Sequence, residues 1–86
     1  IIDMLNISVL TPDRTIFEGN IQSVKVPGVL GEFQVLKNHA PIVSALDKGK
    51  VTVKKADGEV LSFLIEKGFI EVLNNEVSLL VQGVKG

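Results

Sequence analysis

Apolar and polar residues alternate along most of the chain, and this period-two pattern is typical of half-buried β-strands. Near the start, Leu5, Ile7 and Val9 are separated by single polar residues. No stretch places apolar residues at helical spacing over the roughly ten positions that a helix prediction requires. The pattern therefore predicts an all-β protein.

Turn residues divide the chain into short predicted strands. The predicted strands are 5–9, 15–18, 21–26, 32–36, 42–46, 50–56, 59–66, 69–73 and 76–82. Gly19–Asn20 ends the second of them. Two-residue turns separate the last four strands, at Asp57–Gly58, Lys67–Gly68 and Asn74–Asn75.

Many short strands at close spacing favour two packed antiparallel sheets whose inner faces form the core. We therefore predict a two-sheet antiparallel β-sandwich or flattened barrel of about eight to ten strands, with residues 1–86 as a single domain. Val24 and Val26 are predicted to face one side of their strand and Ser23 the other. The predicted core includes all four phenylalanines, which are Phe17, Phe33, Phe63 and Phe69.

The stretch 26–41, with the sequence VPGVLGEFQVLKNHAP, departs from the regular alternation. Gly28 and Gly31 can adopt backbone conformations closed to other residues, so a loop is predicted before the strand 32–36. A second turn follows at 37–41. We expect the two loops to project from the same edge of the protein or close to it. Irregular backbone on a rigid scaffold is where binding sites usually lie.

Composition and charge exclude several classes of function. With 86 residues and 45% hydrophobic content, the chain has apolar surface for one small core, so a multi-step enzyme is not expected. It contains no cysteine, which excludes disulfides and thiol chemistry. A net charge of −1 and the lack of Tyr and Trp give no support for nucleic-acid binding. No apolar run approaches the roughly 20 residues that cross a bilayer.

Candidate catalytic and metal-binding residues are few. His39 is the only histidine and has no partner at ligand spacing, so we expect a turn histidine bonded to the backbone, with no metal and no cofactor. Glu32 is interpreted as a surface carboxylate, with a partner contact as the alternative. Four lysines are interpreted as a solvated strand face, with a weak anionic contact as the alternative; they are Lys48, Lys50, Lys54 and Lys55.

Three parts of the sequence carry a resemblance to a known family. They are the motif at 26–41, the opening LNISVLTPDRTIFEGNIQSVKVPG at 5–28, and the closing LIEKGFIEVLNNEVSLLVQ at 64–82. All three are similar to the N-terminal β-sandwich domain of the epsilon subunit of F-type ATP synthases, which is called delta in mitochondria. The similar parts cover nearly the whole chain, and the central motif is highly specific.

The resemblance implies a non-catalytic rotor subunit of the central stalk, which passes ion-driven rotation of the c-subunit ring to the gamma subunit. It implies that the c ring is contacted by Val29, Leu30, Gly31 and Glu32. It implies that the gamma subunit is contacted by His39, Ala40, Pro41 and Ile42. Such a subunit is a peripheral protein at the cytoplasmic face of the bacterial plasma membrane, and it meets the membrane only through the complex.

Typical bacterial members of this family continue into a two-helix C-terminal domain that restrains ATP hydrolysis and in some bacteria binds ATP. The present sequence ends at Gly86, before such a domain. Either the sequence is truncated, or it belongs to the short-form epsilon subunits that lack the two helices. In both cases we expect neither ATP binding nor inhibition by helices for this polypeptide.

Two other classes of function remain open at this point. Biotinyl or lipoyl carrier domains are all-β, have a similar length and present a lysine on a tight hairpin. The turn Asp47–Gly49 has a superficial similarity to that hairpin, and Lys48 is then the acylated residue. A cofactor-sized mass increase on Lys48 would identify a carrier. A generic β-sandwich adhesion or ligand-binding module accounts for the fold but not for the motif at 26–41.

Overall fold

The computed structural model describes residues 4–86; residues 1–3, with which the predicted single domain begins, lie outside them. The described chain contains eight strands joined by short turns. They are β1 (Leu5–Leu10), β2 (Thr15–Gly28), β3 (Gly31–Leu36), β4 (Ile42–Leu46), β5 (Gly49–Lys55), β6 (Val60–Ile65), β7 (Lys67–Leu73) and β8 (Glu76–Gln82). Within residues 4–86 there is no helix long and apolar enough to cross a membrane.

The strands form two layers that share the long strand β2. Its first part pairs with β1, and the layer continues through β8 and β7 to β4. Its second part pairs with β3 along one edge and with β5 along the other, and β5 pairs with β6. The pair β1–β8 is parallel, whereas the other strand pairs are antiparallel. The predicted all-β sandwich is therefore confirmed, with one parallel pair that the alternation does not reveal.

The core lies between the two layers and is built from alternate residues of the strands. In β1, β7 and β8 the buried residues are Leu5, Ile7, Val9, Ile70, Val72, Val77, Leu79 and Val81. Branched aliphatic side chains dominate this set, and they suit the pleated inner surface of a sheet. The predicted inward positions in β1 are confirmed, as are those of Val24 and Val26.

The strand β2 differs from its prediction in two ways. Gly19–Asn20 does not end a strand, because both residues continue the antiparallel ladder with β1 and the ladder outweighs their turn preference. Ser23 is buried rather than solvent-facing. The register of β2 against β5 shifts between Ile21 and Ser23, so the alternation is broken there and both Ser23 and Val24 are buried.

Turns are present at two of the three predicted places between the last strands. Lys67–Gly68 is not a turn, because both residues are paired with β8 inside β7. Packing is what requires glycine at position 68, since a Cβ atom there would collide with the carbonyl oxygen of Leu80. The two-residue turn at Asn74–Asn75 is confirmed, and both asparagines have positive φ angles, of 51° and 63°. A turn is also present at Asp57–Gly58, but the connection between β5 and β6 comprises residues 56–59 and is longer than the two residues predicted.

Candidate partner-binding surfaces

Val29 and Leu30 form the tip of the hairpin between β2 and β3, above the pair Gly28 and Gly31. Gly31 has a φ of 130°, a conformation that residues with side chains rarely adopt. A Cβ atom on Gly28 would lie 2.7 Å from the carbonyl oxygen of Gly31 and 2.8 Å from the ring of Phe33. Both glycines are therefore needed to form this tip.

Two hydrogen bonds tie this end of the β2–β3 hairpin to the end of β4 and to the residue that follows it. The amide of Val29 donates to the carbonyl of Ala45 at 3.1 Å, and the amide of Asp47 donates to the carbonyl of Pro27 at 2.8 Å. Leu30 nevertheless remains 100% exposed, beside the half-exposed Val29. The tip is thus a fixed apolar projection, which is a surface that a partner protein can contact.

Glu32 stands next to this tip, at the start of β3. Its carboxylate lies 3.7 Å from the Lys25 ammonium group of the neighbouring strand, and both side chains are about half exposed. An exposed ion pair of this kind adds at most about 1 kcal/mol to stability. Glu32 is therefore a surface carboxylate, as predicted, and remains accessible to a partner.

The second predicted loop, at 37–41, does not share an edge with the first, which corrects the expectation. The two loops are attached to opposite ends of β3, which has six residues, so roughly 20 Å of extended strand separates them. Phe33 and Val35 do face the core, with Phe33 half-buried and Val35 fully buried. One short strand thus carries two separate candidate surfaces.

The loop 37–41 is held by local hydrogen bonds. The amide of His39 donates to the carbonyl of Leu36 at 3.1 Å, and Nδ1 of His39 lies 2.7 Å from the carbonyl oxygen of Ala40. The prediction of a turn histidine bonded to the backbone is confirmed. Ala40 and Pro41 are exposed, whereas His39 and Ile42 are half-buried.

A third surface was missed by the sequence analysis. On the outer face of the first layer, neighbouring strands place Leu10 beside Leu80, Leu80 beside Phe69, and Phe69 beside Ala45. We call these four residues the apolar row. Phe69 is 58% exposed and Leu80 is 51% exposed, so Phe69 is not the core residue that was predicted. The row borders an open depression of about 650 Å³.

A signal for the apolar row is present in the sequence. Strict alternation pairs each inward apolar residue with an outward polar one, but Phe69 adjoins buried Ile70 and Leu80 adjoins buried Leu79. These doublets indicate strands that are apolar on both faces. Only the strand pairing shows that the outward members lie side by side.

The remaining candidates have structural explanations. Lys48, Lys50 and Lys54 are exposed, and Lys55 lies 5.0 Å from the centre of the Phe17 ring. Lys48 belongs to the connection between β4 and β5, which do not pair with each other, so it lacks the tight hairpin of a carrier domain. Among residues 4–86, no three His, Cys, Asp or Glu side chains are grouped closely enough to hold a metal ion.

Comparison with known proteins identifies the family. The model of the family described as "ATP synthase, Delta/Epsilon chain, beta-sandwich domain" matches residues 4–85. The ATP synthase epsilon chain of Chlorobium limicola is 42% identical to this chain, over 91% of this chain and 89% of that protein. The epsilon chain of Synechococcus elongatus is also 42% identical, over 94% of this chain but only 58% of that protein.

Solved structures share the fold. A chain in the Euglena gracilis mitochondrial ATP synthase matches with a TM-score of 0.89 and 21% identity, over 99% of this chain and 54% of that chain. A second match is a chain in the structure of the Tetrahymena thermophila mitochondrial ATP synthase central stalk and c-ring. Its TM-score is 0.79 and its identity 15%, over 93% of this chain and 64% of that chain. Because the family model covers nearly all of it, the chain belongs to the ATP synthase delta/epsilon family, as its β-sandwich domain.

Proposed function

We propose that this domain belongs to the central stalk of an F-type ATP synthase and passes rotation of the c-subunit ring to the gamma subunit. As a member of the delta/epsilon family, it is a non-catalytic part of ATP synthase. The observation that carries the proposal is the presence of separate candidate contact surfaces on one closely packed body. A close-packed interior resists compression, so force applied at one surface is transmitted to another.

The proposed contact with the c ring is the hairpin tip, formed by Val29, Leu30, Gly31 and Glu32. Leu30 offers a fully exposed apolar side chain, and Glu32 offers a carboxylate beside it. The two hydrogen bonds that join this end of the hairpin to Ala45 and Asp47 oppose bending of the hairpin. Such a tip can keep its position against a ring of repeated polar loops while torque is applied.

The proposed contact with the gamma subunit begins at His39, Ala40, Pro41 and Ile42 and continues into the apolar row. Ile42 packs against the core, and the outward-facing residues that follow it on β4, Val43 and Ala45, lead from the loop to the apolar row. Phe69 and Leu80 supply the apolar area that the centre of an interface needs. An aromatic side chain on a rigid strand is a favoured anchor for a partner.

The proposed location is the cytoplasmic face of a bacterial plasma membrane, with the membrane reached only through the c ring. Relatives that carry the epsilon-chain name come from bacteria and from a chloroplast. A peripheral subunit of this kind needs protein contacts alone. The surfaces described above are proposed to make these contacts.

Binding to the gamma subunit tests the proposal directly. Purified gamma subunit from the same source is mixed with the domain, and the mixture is separated by size-exclusion chromatography. We expect co-elution as a one-to-one complex that is weakened by substitution of His39 or Ile42. If correctly folded gamma subunit elutes separately from the folded domain, the central-stalk function is rejected.

Removing the carboxylate beside the hairpin tip is expected to weaken docking on the c ring. Glu32→Ala should lower the affinity of the gamma–domain complex for detergent-solubilised c ring about two- to fivefold, as expected for a charge at the rim of an interface. Lys25→Ala is the matched control, because it breaks the same ion pair but keeps the carboxylate. An equal loss in both variants would assign the effect to the ion pair and not to a contact of Glu32 with the ring.

A further inference from the structure

The loop 37–41 is tied to a distant hairpin by two asparagines, Asn38 and Asn75, which we call the asparagine pair. The backbone amide of Asn38 donates to Oδ1 of Asn75 at 2.6 Å. In return, Nδ2 of Asn75 donates to Oδ1 of Asn38 at 3.2 Å. The two residues are 37 positions apart in the chain, so the pair joins two separate elements of the fold.

Asn75 is the fixed member of the asparagine pair. It lies in the tight turn between β7 and β8, where its carbonyl accepts a hydrogen bond from the amide of Asn6 at 2.9 Å. It is half-buried, and its φ of 63° is a conformation that asparagine tolerates better than most residues. Asn38, by contrast, is exposed and belongs to the irregular loop, with a φ of 68°.

The asparagine pair holds the loop at the residue that precedes the proposed gamma contact. Within residues 4–86, the other hydrogen bonds of the loop 37–41 run to its own residues or to Leu36, at the end of β3. Asn75 therefore supplies the attachment of this loop to another part of the fold. Without the Asn75 side chain, the exposed amide of Asn38 bonds to water instead, and this hydrogen bond no longer joins the loop to the β7–β8 turn.

We propose that Asn75 is a positioning residue for the gamma subunit, which acts through the loop that bears His39, Ala40 and Pro41. The proposal rests on the proposed gamma contact. A loop that is already ordered loses less conformational entropy when a partner binds. The asparagine pair therefore raises the affinity for gamma by ordering the loop before binding.

The turn itself offers a matched control for the test. Asn75→Gly removes the side chain but keeps the positive φ at little cost in backbone strain. Asn74→Gly makes the same chemical change one residue earlier, where φ is also positive, at 51°, and where the side chain makes no hydrogen bond within residues 4–86. Asn75→Asp is the conservative variant, because it keeps the oxygen that accepts from the amide of Asn38.

Two measurements are made on the folded 86-residue chain and its variants. The affinity for purified gamma subunit is measured by titration, and the hydrogen exchange rate of the Asn38 amide is measured without gamma. For Asn75→Gly we expect about three- to tenfold weaker binding and faster exchange at Asn38. Asn74→Gly should match the wild type in both gamma affinity and exchange rate. The gamma affinity of Asn75→Asp should stay within about threefold of the wild-type affinity.

Three outcomes overturn the proposal, and each one rejects a different step of it. Unchanged exchange at Asn38 in Asn75→Gly shows that the asparagine pair does not order the loop. Faster exchange with unchanged gamma affinity shows that loop order does not matter for gamma. If the wild-type domain fails to bind gamma, the proposed function itself has failed, and the exchange data still report on the asparagine pair alone.

Discussion

Replacing Phe69 by glutamate is expected to lower the affinity for the gamma subunit by at least about a hundredfold while the domain stays folded. Phe69 is 58% exposed in the free domain, so a carboxylate at this position is hydrated before binding. In the proposed complex the apolar row is covered, and a buried carboxylate without a partner costs several kcal/mol. Titration of labelled gamma subunit with the wild type and with Phe69→Glu measures the difference.

Leu64→Glu is the matched control for this substitution. Leu64 is 53% exposed, but it lies on β6, in the second layer and away from the apolar row. Both variants add one negative charge, so a similar loss of affinity in both would indicate long-range repulsion from gamma. Wild-type affinity of a folded Phe69→Glu variant would remove the apolar row from the gamma contact. Circular dichroism checks that both variants are folded.

Truncation of Ile70 is expected to have the largest effect on the fold. Ile70 is fully buried on β7, which pairs with β4 on one side and β8 on the other. Ile70→Ala should lower the free energy of unfolding by about 2–5 kcal/mol, because it removes buried apolar surface and leaves a cavity. The free energy of unfolding of an 86-residue domain is about 4–13 kcal/mol in total. The variant therefore loses a large share of its stability.

Leu73→Ala is the control on the same strand. Leu73 is 52% exposed on the outer face of β7, and its truncation should change the free energy of unfolding by less than about 0.5 kcal/mol. Urea denaturation followed by circular dichroism measures both variants under the same conditions. A loss below about 1 kcal/mol for Ile70→Ala would mean that Ile70 does not occupy a tightly packed core.

Much of the fold follows from local patterns in the sequence. The alternation at Leu5, Ile7 and Val9 correctly predicts both the strand and its inward face. Asn74–Asn75 correctly predicts a tight turn, because asparagine tolerates positive φ. The same reasoning fails at Gly19–Asn20 and at Lys67–Gly68. There, hydrogen bonds to a neighbouring strand keep the backbone extended, and no local preference of the residues reveals that neighbour.

The candidate surfaces also divide into those that a contiguous motif reveals and those that form only from distant segments. The motif at 26–41 points to the hairpin tip and to the loop at 37–41, and it also carries the family resemblance. The apolar row was missed because its members come from four strands, of which β1 and β4 are distant in sequence from each other and from the hairpin of β7 and β8. The asparagine pair was missed for the same reason, since Asn38 and Asn75 are 37 positions apart.

The sequence by itself determined the all-β class, most of the turns, the inward faces of the regular strands and the family. Each of these depends on properties of neighbouring residues, such as period-two burial, positive φ or a contiguous motif. The tertiary structure alone decided that Phe69 faces solvent in the apolar row and that Asn75 holds Asn38. Both features depend on which distant segments become neighbours in the fold, and a local pattern of residues does not identify the neighbour.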